Sequence, residues 1–267
     1  MKAQPVAIDD TASLAATSDA PAQVVRLNLP AGSRMVTPSS SSIVAPAGET
    51  SAATSLGLTG RAVAKRLLDV AVASLCLVIL SPLLALVWAL VRATSPGAAL
   101  FRQTRVGRDG RTFVLYKFRT MYDGCSDEIH RDYVCRLLED DSPPVGGSSG
   151  LYKLEADPRV TRVGRLLRRA SLDELPQLFN VVRGDMSLVG PRPALPWEAE
   201  RFGAAYWKRF SVPPGLTGLW QVSGRNSLTM RQGLELDIDY VERQTFTLDL
   251  IILLKTIPTV LSGMGAR

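Results

Sequence analysis

The sequence predicts a mainly helical α+β protein with one membrane-embedded segment, and three observations carry that reading. Val70 to Val91 is a 22-residue run without a charge. Strand-like patterning is confined to a short region, Phe101–Arg102–Gln103 and Thr112–Tyr116, joined by turn chemistry. Elsewhere, helix-spaced apolar residues alternate with charged, glycine- and proline-broken connections. A chain of 267 residues has room for one substantial domain and an appendage.

Residues 1–58 come first. They are rich in Ala, Ser, Thr and Pro, as in Pro38-Ser39-Ser40-Ser41-Ser42. Such a composition cannot bury enough apolar area to offset chain entropy, so a disordered tail is predicted. Asp9, Asp10 and the lack of an apolar core exclude a secretory signal.

Residues 59–96 hold the membrane segment. At about 1.5 Å per residue the apolar run is long enough to cross a bilayer. Ser81-Pro82 interrupts its middle. Proline has no N–H for the helix ladder and its ring crowds the preceding turn, which predicts a bend there. Arg61, Lys65 and Arg66 lie on one side of the run, Arg92, Arg102 and Arg105 on the other. Basic flanks favour the cytoplasmic face. A straight span would strand one flank outside; a re-entrant helix keeps both inside.

Residues 97–267 supply the remaining domain. The two short strands flank Gly107-Arg108-Asp109-Gly110, a hairpin turn by composition. A polar helical piece follows, then a flexible loop at Ser142–Gly150. Gly164–Val182 reads as helix in two parts, with Leu172, Leu175, Leu178, Phe179 and Val182 helix-spaced after Ser171. Pro191-Arg192-Pro193 is extended, Trp197–Phe210 is aromatic and amphipathic, and Gly215-Leu216-Thr217-Gly218 and Gly224-Arg225-Asn226 read as turns. Phe246–Leu261 is apolar apart from Asp249 and Lys255, and Pro258 interrupts it, which suits an interfacial or core helix.

A net charge of +6 suits anionic lipid or phosphorylated substrates. No nucleic-acid-binding motif accompanies it. Cys76, Cys125 and Cys135 form neither a metal motif nor an even disulfide set, and His130 is the lone histidine in a polar stretch. Zinc chemistry and histidine-based catalysis are thereby disfavoured.

The chemistry-bearing candidates lie elsewhere. Ser171-Leu172-Asp173-Glu174 fits a helix capping box, or places Asp173 itself as the cap with Pro176 in the first turn. The same two carboxylates also suit metal binding or attack on phosphorus. Arg162, Arg165, Arg168 and Arg169 precede them and Arg183 and Arg192 follow. Such a cluster suits phosphoryl oxygens, or equally a basic face against lipid. Lys117 and Arg119 share one strand face, with Phe118 opposed.

In combination these segments resemble the monotopic phosphoglycosyl transferases, bacterial sugar transferases that start glycan assembly on polyprenyl phosphate. The resemblance runs from about residue 61 to 257. It rests on Lys65-Arg66-Leu67-Leu68-Asp69, Ser81-Pro82, Phe101–Gly107, Lys117–Met121, Asp157–Thr161, Ser171–Leu178, Gly184–Pro193 and Pro214–Gly218, in that order. One departure is Gly218-Leu219-Trp220-Gln221-Val222, where the family often has Gly-Trp-Ala-Gln-Val.

The resemblance implies a re-entrant helix and interfacial amphipathic helices in the cytoplasmic (inner) membrane, with the catalytic domain facing the cytoplasm. It makes Asp173 the nucleophile and Glu174 the partner of Mg²⁺. Lys117, Arg119, Arg168 and Arg192 would bind phosphate groups, with Gln221 and Arg225 completing the substrate-binding set. The implied reaction takes a UDP-sugar and polyprenyl phosphate through a sugar-phosphoryl aspartate, releasing UMP, as the first step of exopolysaccharide assembly. Membrane lipids are the expected surroundings and a homodimer is one option for assembly. The alternatives are a glycosyltransferase that moves sugar without phosphate and a non-catalytic membrane-anchored scaffold.

Overall fold

The computed structural model describes residues 50–125, 131, 132, 134, 135, 157–224 and 228–261. The tail before residue 50, the 142–150 loop, His130 and Arg225 lie outside these residues. The described residues are mostly helical, with two small two-stranded sheets and one long apolar helix among them.

That helix, α1 (Thr50–Thr94), runs through Pro82 as one element and takes in residues 50–58 at its start. Gly60–Thr94 is long and apolar enough to cross a membrane, and only 11% of its most apolar window is buried within the protein. Leu75, Val78, Ile79, Leu86 and Trp88 project outward. Residues on both sides of Pro82 nevertheless pack on the same domain. Ala73 joins a core cluster with Leu115, while Val87 and Val91 join another with Phe118 and Leu167.

The basic lead-in of α1 is docked rather than free. Arg61 Nη2 donates to the Gln244 carbonyl at 3.3 Å. Lys65 pairs with Asp249 at 2.7 Å. Asp69 is buried and accepts from Ser187 Oγ at 2.8 Å and from the Leu188 N–H at 3.2 Å.

The sequence places the first sheet correctly and underestimates its length. β1 (Leu100–Val106) and β2 (Thr112–Phe118) pair antiparallel, with Phe101 opposite Lys117 and Arg105 opposite Phe113. In the connecting turn, Asp109 (φ 56°) and Gly110 (φ 74°) adopt the left-handed conformation that Asp and Gly tolerate best.

Two helices follow, α2 (Arg162–Arg169) and α3 (Gln177–Arg183), separated by a 3₁₀ turn at Leu172–Glu174. Thr161 caps α2, its hydroxyl accepting from the Gly164 N–H at 2.9 Å. A side chain at Gly164 would collide with the Thr120 carbonyl, so glycine lets α2 sit directly on the end of β2. Gly184 (φ 99°) closes α3 in the left-handed conformation. The last α3 carbonyls are claimed by Arg66, whose Nη1 donates to Val181 and Nη2 to Val182 at 2.8 Å. A cation at a helix C-terminus also complements the macrodipole.

The second sheet is absent from the sequence reading. β3 (Ser187–Val189) pairs parallel with β4 (Gly215–Thr217), so Gly215-Leu216-Thr217 is a strand where a turn was expected. Every residue of β3 is buried, leaving no polar alternation to betray it. The remaining elements are α4 (Pro196–Ala199), a 3₁₀ segment at Ala204–Ser211, α5 (Leu219–Val222), α6 (Met230–Arg243) and α7 (Phe246–Leu261). On α7, Phe246, Leu250, Ile251, Leu254 and Ile257 are exposed and Asp249 is buried.

Candidate active site

The Ser171–Glu174 segment does not form the expected capping box. Ser171 has left-handed backbone (φ 53°) and makes no side-chain cap bond; α3 begins only at Gln177, after Pro176. Both carboxylates therefore sit on a separate 3₁₀ turn, half-buried, ahead of the helix rather than serving as its cap. Ser171 takes up a conformation that costs a non-glycine residue about 1–2 kcal/mol. That conformation turns the chain from α2 onto β2, against which the acidic turn packs.

Asn180 fixes this arrangement from behind. It is fully buried; its Oδ1 accepts from the Tyr116 N–H at 3.1 Å and its Nδ2 donates to the Val114 carbonyl at 2.7 Å. The side-chain amide thus pairs with β2 as a neighbouring strand would. Nδ2 also reaches Asp185 at 3.2 Å.

Lys117, near the end of β2, is brought to the acids. Its ammonium lies 5.0 Å from the Phe101 ring centroid. Burial pulls its pKa down to about 8, with the Arg105 and Arg168 charges adding to the fall and Asp173 and Glu174 opposing it. Arg168, in the last turn of α2, donates from Nε to Thr120 Oγ1 at 2.8 Å. Burial lowers its pKa as well, against the pull of Asp173 and Asp157. Asp157 is held below the usual carboxylate range, chiefly by the Arg159 side chain, which donates to it from Nε at 2.9 Å and Nη2 at 2.8 Å. The site thus interleaves cations and carboxylates: Lys117 and Arg168 around Asp173 and Glu174, with Asp157–Arg159 behind.

The other sequence candidates occupy different ground. Arg119 lies beyond β2, buried, with Nη2 donating to the Ser95 carbonyl and hydroxyl, each at 2.8 Å. Lys117 and Arg119 consequently serve different surroundings despite their spacing of two. Arg192 is half-buried; its carbonyl accepts from Arg209 at 2.8 Å and its main chain bonds the Asp237 carboxylate. Gln221 donates from Nε2 to the Leu216 carbonyl at 3.2 Å, while its Oε1 is buried without a hydrogen bond. The shifted aromatic, Trp220, is 2% exposed and packs beneath Gly233, which places it in the core.

Sequence reasoning missed Arg105 and Thr120. Arg105 is buried, donating to the Pro193 carbonyl at 3.0 Å and to Gln103 Oε1 at 2.7 Å. The signal was present: Phe101, Gln103 and Arg105 alternate onto one strand face, and Phe101 pairs with Lys117.

Among the described residues no three Asp, Glu, His or Cys side chains form a metal cluster. Asp173 and Glu174 supply carboxylate oxygens, the donor type that a hard cation takes. Mg²⁺ keeps several waters and is usually held by one or two carboxylates together with substrate phosphates.

Comparison with known proteins identifies the family. A family model described as "Bacterial sugar transferase" matches residues 60–263. The UDP-glucose:undecaprenyl-phosphate glucose-1-phosphate transferase of Caulobacter vibrioides is 44% identical over 210 residues, covering 76% of this chain and 71% of its own. The exopolysaccharide production protein ExoY of Rhizobium meliloti is 42% identical over 203 residues, covering 76% and 88%. The undecaprenyl-phosphate galactose phosphotransferase of Salmonella typhimurium is 43% identical over 202 residues, covering 76% of this chain and 41% of that relative. The match takes in α1 from residue 60 onward, both sheets and the acidic turn together, and on that ground the chain belongs to the bacterial sugar transferase family.

Proposed function

We propose that the protein transfers a sugar 1-phosphate from a UDP-sugar to polyprenyl phosphate at the cytoplasmic membrane, releasing UMP, as an initiating step of exopolysaccharide or glycan assembly. One observation carries this reading: two carboxylates released from capping duty lie within the fields of Lys117 and Arg168. Cations of that density suit a diphosphate, and a carboxylate among them is placed to act on phosphorus. The names of the relatives point to the same substrates.

In the first step an Asp173 carboxylate oxygen forms a bond to the β-phosphorus, and the bond from that phosphorus to the bridging oxygen breaks. UMP leaves with the bridging oxygen, and a sugar-phosphoryl aspartate remains. In the second step a polyprenyl phosphate oxygen bonds to the same phosphorus, and the Asp173 carboxylate is released. Lys117 and Arg168 neutralise the phosphoryl oxygens, and positioning with charge neutralisation supplies the catalysis. Glu174 would hold Mg²⁺, whose charge offsets that of the diphosphate when bound.

Membrane attachment follows the same logic. We read α1 as a re-entrant helix, because Ala73 and Val87 pack on one domain from either side of Pro82. The exposed apolar face of α7 would rest in the interface beside it. Soluble donor and lipid-borne acceptor then meet at one surface.

The test combines purified full-length protein, Mg²⁺, polyprenyl phosphate and a panel of UDP-sugars. UMP as the released nucleotide is the expected result; UDP would establish sugar transfer without phosphate and overturn the proposal.

A further inference from the structure

Arg119 presents a problem that the reaction centre does not solve. The residue has a relative exposure of 7%, yet among the described residues Nε and Nη1 have no hydrogen-bond partner, while Nη2 is used on Ser95. A buried guanidinium left with unpaired N–H groups is costly unless an anion completes it. Arg119 lines a cleft of about 640 Å³ where α1 ends and β1 begins. Arg92 and Arg102 line it too, with Asp123 as its acid, so three guanidinium groups face one carboxylate. Arg92 is exposed and steadied by a 2.7 Å bond to the Gly97 carbonyl; Arg102 is exposed at the mouth.

The walls are of the opposite character. Trp88, Leu100 and Phe101 line the cleft and are 51%, 37% and 37% exposed. They continue the outward apolar face of α1 at Leu86 and Leu90. Inside, the cleft is cationic; at its lip it joins the surface that faces lipid. A sugar nucleotide has no use for such a lip. A phosphate monoester on a long hydrocarbon chain uses both parts, its headgroup inside and its chain along Trp88 and α1. Phe101 also connects the cleft to the reaction centre, since its ring lies 5.0 Å from the Lys117 ammonium.

We propose that this cleft seats the phosphate headgroup of the lipid acceptor, with Arg119 as its inner cation and Arg92 and Arg102 at its mouth. The proposal rests on the reaction set out above and adds to it a separate place for the second substrate, so that donor and acceptor enter by different doors. Headgroup phosphate bound here approaches Asp173 past Phe101 and Lys117.

Two measurements test it. Full-length protein in phosphatidylcholine nanodiscs is irradiated with a photoreactive polyprenyl phosphate, and adducts are mapped by mass spectrometry. Adducts within residues 88–102 are expected, competed by polyprenyl phosphate and not by uncharged polyprenol, phosphatidylglycerol or inorganic phosphate. Equal competition by phosphatidylglycerol or inorganic phosphate would make the cleft a general anion site and overturn the proposal. In steady-state turnover, Arg102→Ala should raise KM for polyprenyl phosphate about tenfold, the loss of one charge-assisted contact, with KM for the UDP-sugar unchanged. Arg119→Lys keeps the charge, loses the planar fork and should shift the same constant. A rise confined to the UDP-sugar KM, or no change in either variant, overturns the assignment. Adducts elsewhere with normal UMP release sink the cleft alone; correct adducts without UMP release sink the reaction alone.

Discussion

Ser81 Oγ donates to the Val78 carbonyl at 2.8 Å, and that carbonyl is the one Pro82 cannot reach for want of an N–H. The serine thus repairs the hydrogen-bond deficit that its neighbouring proline creates, at a point where the surrounding side chains face outward. In lipid such repair matters more than in water, because nothing else is present to satisfy the acceptor.

Pro82→Ala restores the ladder, and under the proposed re-entrant arrangement it should favour a straight span. Single cysteines placed at residues 61 and 102 report the result: both are expected to resist membrane-impermeant reagents in the parent, and one becomes labelled in Pro82→Ala. Periplasmic labelling of either site in the parent would remove the re-entrant reading.

Asp173→Asn should abolish both turnover and any sugar-phosphoryl adduct while leaving the melting temperature within a few degrees, since Asp173 is not a helix cap. Glu174→Gln should weaken the dependence of rate on Mg²⁺ concentration. Turnover retained in Asp173→Asn would dismiss it as the nucleophile.

Lys117 gives opposite pH signatures for binding and stability. With its pKa near 8, the folded enzyme loses this charge as pH rises through 8, so affinity for the UDP-sugar should fall there. Between about 8 and the model-peptide value of 10.5 the unfolded chain holds the extra proton, so this residue makes folding more favourable as pH increases. Lys117→Arg should move the alkaline loss of affinity to higher pH. An unchanged alkaline limb in that variant assigns the titration to another group.

Asn180→Leu removes the amide that pairs with β2 and leaves the Tyr116 N–H and Val114 carbonyl without it. A loss of about 2–4 kcal/mol is expected from two stranded main-chain groups, read by denaturant titration. Activity should fall at temperatures where the protein is still folded, because α3 and β2 together hold the acidic turn against Lys117.

Much of this architecture was legible in the chain. Asp109-Gly110 marked the hairpin, and Leu178, Phe179 and Val182 marked α3, because turn chemistry and helix spacing act locally. The parallel β3–β4 pair was not legible, since each strand is only three residues long and every residue of β3 is buried, so no alternation shows. Lys65 and Arg66 illustrate a different limit. Beside an apolar run they read as basic flanks that favour the cytoplasmic face, yet their partners are Asp249 and the carbonyls of Val181 and Val182, more than a hundred residues away. At the site, the acids and Lys117 stood out in the sequence, whereas Arg105 was marked only by its strand alternation with Phe101, and the register that sets Phe101 opposite Lys117 links that face to the acids.

The Lys65–Asp249 pair spans 184 positions of sequence. Tyr240 donates to the same carboxylate at 2.7 Å, so the last helix completes a fastening that the first helix begins. On a ribosome adding roughly 5–20 residues per second, Lys65 waits on the order of 9–37 s for its acceptor to be made. Lys65 is thus made long before its acceptor, and a chain ended before Asp249 would keep the Arg66 and Asp69 contacts of α1 while lacking the ion pair that ties the start of α1 to α7.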